Sequence, residues 1–136
     1  MELQSQITRE NLEVLVTTFY HRAMKDDLIG HYFTLELGED IGDFEWVRHI
    51  DIVVDFWASV MIDDPEYNSD PYGPHFTIVG LKERDFIRWV QLFSEISEEL
   101  YTATLAKNFQ EKARFYAKAF MERLKVNPEI TEYYNV

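Results

Sequence analysis

Two histidines stand where a ring nitrogen could do chemistry. His75 follows Pro71-Tyr72-Gly73-Pro74 and precedes a helical pattern that resumes at about Lys82. Two prolines and a glycine constrain the backbone there, so the imidazole is expected at the start of a short helical turn, held by a stiff approach. A histidine so presented beside a large apolar pocket offers nitrogen to a metal cofactor. His49 is the single polar interruption of an apolar stripe, Trp46, His49, Val53, Phe56, Trp57 and Val60. Around these two histidines gather Tyr20, Phe33, Trp57 and Trp89. The plainer reading of His49 is a core histidine satisfied by a backbone carbonyl, and that of His75 an ordinary half-buried residue near a helix start. His21 and His31 stand beside charged or loop residues and are expected in solvent.

Composition removes several other chemistries. The chain has no cysteine, which excludes disulfides, thiolate zinc sites, iron–sulfur clusters and thiolate-ligated haem. A carboxylate-bridged di-iron site needs Glu-x-x-His on facing helices. Here Glu45 and His49, and Asp27 and His31, are four apart, and no Glu-x-x-His occurs. No serine sits in a nucleophile elbow, and the five glycines mark turns instead of a phosphate loop. A net charge of −12 argues against nucleic acid as a partner. The most apolar segment, residues 50–62, is interrupted by Asp51 and Asp55 and cannot span a bilayer. No signal peptide is visible, and a cytoplasmic location is expected.

The elements that must position the histidines are helical. Thr8 is a plausible N-cap for a helix from about Arg9 to Lys25, with Leu12, Leu15, Val16, Phe19, Tyr20 and Ala23 inward. A short helical piece leads to Tyr32-Phe33. Asp43 is expected to cap a helix to about Ile62, and residues 63–74 are rich in turns. A helix from about Lys82 to Tyr101 turns Phe86, Trp89, Val90, Phe93, Ile96 and Leu100 inward. The last, to about Lys125, does so with Leu105, Phe109, Ala113, Tyr116, Phe120 and Leu124. No segment sustains strand alternation. The expectation is an all-α single domain over residues 1–136, with its core at about 8–124 and a loosely held tail at 125–136. A chain of this length buries roughly two-thirds of its unfolded surface. An aromatic content of 15% exceeds what a small core needs, so a large flat group is expected to share that core. Haem fits the demand: one neutral imidazole on iron, flat apolar walls, and a few donors where a ligand sits.

At these residues the sequence resembles the truncated haemoglobins, most of all the third group of that family, over about residues 8–124. Phe19-Tyr20 resembles the family's Phe-Tyr pair, whose tyrosine points into the distal pocket. Phe33, thirteen residues on, resembles the phenylalanine that wedges against the haem. Trp46-x-x-His49 followed by Phe56-Trp57 is similar to the group's distal helix. Tyr67-Asn68-x-x-Pro71 before His75 resembles the approach to the iron-bound histidine, and the fourteen-residue step to Trp89 fits the group's distal tryptophan. Pro74 stands where a basic residue would be unsurprising, and Ser69 where glycine is common.

The resemblance implies a shortened globin fold, two helices over two, around haem b. It implies His75 as the proximal iron ligand, and Tyr20, His49 and Trp89 as the distal ligand-binding residues. Phe33, Val53, Phe56, Trp57 and Phe93 are expected against the cofactor; the propionate contacts stay open, with Arg48, Lys82 and Arg84 as candidates because they are cations near the expected pocket mouth. The expected ligands are O₂, NO or CO, and the expected role is redox or detoxifying chemistry on O₂, NO or peroxide in preference to oxygen delivery. NO dioxygenase or peroxidase-like turnover would need a reductase partner or peroxide. The rival is a haem-free helical interaction module.

Overall fold

A computed structural model describes residues 2–67, 71, 78 and 80–126. His75 and the expected tail beyond residue 126 lie outside them. Five helices follow in order: α1 (Arg9–Ala23), α2 (Gly30–Leu37), α3 (Phe44–Ile62), α4 (Glu83–Leu100) and α5 (Ala103–Arg123). There are no strands among the described residues beyond a single bridge between Gln4 and Tyr101. The chain is all-α, as its periodicity requires.

Local chemistry sets the boundaries. Thr8 caps α1: its Oγ1 accepts from the Asn11 N–H at 3.1 Å, and Asn11 Oδ1 accepts from the Thr8 N–H at 3.0 Å. The expected apolar stripe of α1 is buried at all six positions. Asp43 occupies the N-cap of α3 in extended backbone, but its side chain makes no capping bond, a departure from the expected role. Between α1 and α2, Asp26 Oδ2 accepts from the N–H groups of Leu28 and Ile29 at 3.1 and 3.2 Å. Gly30 then begins α2 where a Cβ would lie 2.6 Å from the Met24 carbonyl oxygen. Only glycine permits that approach.

Helix α1 packs on α3, α4 packs on α5, and α1 crosses α4. These two pairs laid over each other enclose Leu12, Leu15, Trp46, Val54, Phe93, Ile96 and Phe109, all almost fully buried. Polar ties hold the pairs in register. Arg88 bonds Asp26 Oδ1 through Nε at 2.9 Å and Nη2 at 2.8 Å, joining α4 to the α1–α2 turn. Tyr101 donates its hydroxyl to Asn11 Oδ1 at 2.6 Å, and Gln4 exchanges backbone bonds with Leu100 and Thr102. Arg9 pairs with Asp55, linking α1 to α3. Arg22 and Glu99 form a two-point pair at the surface, where solvent limits such a bridge to about 1 kcal/mol or less.

Candidate functional site

Helix α3 has two apolar sides. Trp46, Val54, Trp57 and Ala58 are buried in the core, whereas His49, Val53, Phe56 and Val60 form an adjoining half-buried stripe at helical spacing. The second stripe carries the chemistry. His49 Nε2 lies 2.9 Å from the Tyr20 hydroxyl, so one hydrogen bond joins α3 to α1. Which group donates is set by the imidazole tautomer.

Tyr20 is held on several sides. Its ring meets those of Phe19, Phe33, Trp46 and His49 edge to face, at centroid distances of 5.1, 5.4, 5.3 and 5.0 Å. Such T-shaped contacts place positive ring edges on negative ring faces. Burial pushes the Tyr20 phenol well above its ordinary pKa, so at neutral pH it keeps its proton and remains a donor. Trp46 is fixed in turn by donating its indole N–H to the Gly38 carbonyl at 2.8 Å. It touches both members of the polar pair, its ring lying 6.0 Å from that of His49. The sequence reading omitted Trp46 from the site, although its place three residues before His49 on one helix was the available signal.

Behind Tyr20 lies a cavity of about 10 Å³, lined by Val16, Phe19, Tyr20, Val53, Trp57, Trp89 and Phe93. That is about the room one water molecule needs. Its far wall is a stack of three rings. Phe93 lies between Trp57, at 4.7 Å and 17°, and Trp89, at 5.5 Å and 8°. Val16, expected only in the core, joins the site here together with Phe19. The structure thus brings Tyr20, His49, Trp89, Phe33, Val53, Trp57 and Phe93 into one region, with Phe56 against Trp57 at 5.4 Å. Trp57 and Phe93 are buried, and Phe33, Val53, Phe56 and Trp89 are half-buried.

Among the cations, Arg48 and Arg84 are exposed, and Lys82 is half-buried at the N-cap of α4. His21 and His31 are exposed, as expected. Among the described residues no group of three or more His, Asp or Glu could hold a metal ion, and no helix is long and apolar enough to cross a membrane.

Two crossed helix pairs, with a tyrosine–histidine contact where α1 meets α3, make an all-helical, two-over-two arrangement of the kind found in the shortened globin fold. The comparisons agree. The chain is 26% identical over 118 residues to "Group 3 truncated hemoglobin ctb" of Campylobacter jejuni, covering 87% of this chain and 91% of that protein. It superposes on the crystal structure of group III truncated hemoglobin from Campylobacter jejuni with a TM-score of 0.83 at 25% identity, covering 90% of this chain and 95% of that one. No family model matches the chain. The two matches support a group III truncated haemoglobin.

Proposed function

We propose that the protein is a haem-b globin, with His75 as the axial ligand, that binds O₂ and other diatomic molecules at a polar distal pocket. The observation that carries this reading is the part-buried contact of Tyr20 with His49, 2.9 Å long, beside a small cavity lined by aromatic rings. A core built only for stability gains little from such a pair, because burying hydroxyl and imidazole costs about as much as their bond returns.

The residues present fit the group. Phe33, Val53 and Phe56 supply half-buried apolar surface suited to a flat ring, and Trp57 and Phe93 stiffen it from behind. Haem, when bound, would supply an iron whose open position takes a diatomic ligand. The chain's own part is to place donors where negative charge develops on that ligand. When His49 donates from Nε2 to the Tyr20 oxygen, the Tyr20 proton is free to turn toward the ligand. When Tyr20 donates to His49 instead, that proton is withdrawn. Trp89, on the wall of the same cavity, carries the second donor, its indole N–H.

Each donor to a charged ligand contributes about 1.5–3 kcal/mol, so two of them favour slow release. Slow release suits redox chemistry on O₂, NO or peroxide better than oxygen delivery, with a cytoplasmic reductase as electron donor. Absorbance of the protein reconstituted with haem tests the reading: a Soret band is expected, and its absence would leave a haem-free helical interaction module. Sustained consumption of NO in the presence of a reductase would mark an enzyme, and one stoichiometric turnover would not.

A further inference from the structure

Asp85, 4% exposed, is the one charged residue buried among the described residues, and the distal chemistry does not use it. A buried carboxylate is unfavourable unless its lone pairs are met by donors. Its Oδ2 accepts from the Tyr32 hydroxyl at 2.8 Å and from the Lys82 backbone N–H at 2.9 Å. The Tyr32 hydroxyl also lies 3.0 Å from the Gly80 carbonyl oxygen. It has one proton to share between them, and the carboxylate is the stronger acceptor. Burial first, and then the bond to Asp85, push the Tyr32 phenol up to about 12, so it is a donor at neutral pH. Gly80 takes a φ of +87°, in the region that favours glycine.

These contacts join three parts of the site. Tyr32 precedes Phe33 on α2, and Asp85 lies one turn before Trp89 on α4. Gly80 stands five positions after His75, and five residues span at most about 18 Å. We propose that Tyr32 and Asp85 are positioning residues: their clasp fixes the α2 wall that carries Phe33 relative to the start of α4, which carries Trp89 and follows His75 in the sequence. This rests on the axial role proposed above for His75.

The test uses haem-loaded protein and three variants. Tyr32→Phe keeps the ring and removes the hydroxyl, Asp85→Ala removes the acceptor, and Asp85→Asn keeps an acceptor oxygen. Two readouts follow: transfer of haem to an excess of a haem-free scavenger globin, and the iron–histidine stretch of the ferrous, ligand-free protein. Tyr32→Phe and Asp85→Ala are expected to speed haem transfer about tenfold, the effect of one charge-assisted hydrogen bond, and to shift or split the stretch. Asp85→Asn is expected to restore both toward the native values. If Tyr32→Phe and Asp85→Ala lower only the melting temperature, leaving transfer and stretch unchanged, the clasp serves the fold alone and the proposal is overturned. Amide exchange at Lys82 in haem-free protein, expected to quicken in Asp85→Ala, reads the clasp without the cofactor. A wild-type protein without an iron–histidine stretch overturns the axial role of His75, and the positioning role with it, even where Lys82 stays protected.

Discussion

His49 Nε2 and the Tyr20 hydroxyl meet at 2.9 Å, and this bond joins the second turn of α3 to the last turn of α1. In the function proposed above, neither residue would act on a bound ligand independently of the other. Any change to the imidazole alters what the phenol can donate, and the rings of Phe33 and Trp46 leave Tyr20 little room to turn elsewhere.

Tyr20→Phe and Trp89→Phe should each accelerate O₂ dissociation by about tenfold or more, as loss of a donor to a charged partner requires. Carbon monoxide carries little charge on its oxygen when bound, so its dissociation should change far less. The double variant should show less than the product of the single effects, because both donors address one small ligand. Stopped-flow displacement of O₂ and of CO measures these rates. Equal shifts for both gases would identify a steric effect in place of selective stabilisation of charge.

His49→Leu should speed CO association. Where the imidazole must leave Tyr20 to let a ligand pass, one neutral hydrogen bond of about 1 kcal/mol holds the gate, and losing it raises the open fraction roughly fivefold. Flash photolysis gives the rate directly. An unchanged association rate means that His49 is neither gate nor obstacle.

His75→Ala should abolish stable haem binding, or leave a pocket that added imidazole restores. Haem titration followed by absorbance, with and without imidazole, checks this. Retention of haem with an unaltered spectrum would assign the axial nitrogen to another residue.

Asp26 governs an acid-sensitive part of the stability. Burial works to raise its pKa, but the Arg88 guanidinium and the N–H groups of Ile29 and Leu28 outweigh it and hold the carboxyl below the usual range. A group depressed in the folded state contributes fully above its unfolded pKa of about 3.9, and loses that contribution as pH falls through the lower folded value. Asp26→Ala should therefore cost about 2–4 kcal/mol near neutrality, since it strips Arg88 and two N–H groups of their partner. The gap between variant and native protein should narrow below about pH 4. Urea unfolding at neutral pH and at about pH 3 measures both; a gap that widens in acid would reverse the assigned sign.

Periodicity alone determined the helices, because burial of one face repeats at a fixed interval along the chain. Every inward residue expected of α1 is buried, and the bounds of α3, α4 and α5 lie within two residues of those expected. The chemistry-bearing residues His49, Tyr20 and Trp89 were legible as polar atoms on apolar stripes. Periodicity could not say that α3 has two inner sides, or that His49 belongs to the half-buried one. That depends on how α1 crosses it, which is a matter of packing between elements distant in sequence. Nor could it pair Tyr20 with His49, Asp26 with Arg88, or Tyr32 with Asp85, which stand 29, 62 and 53 residues apart. In the sequence Asp85 is one more acidic residue in the first turn of a helix. Only the tertiary structure buries it, because the hydroxyl that makes its burial tolerable comes from another helix.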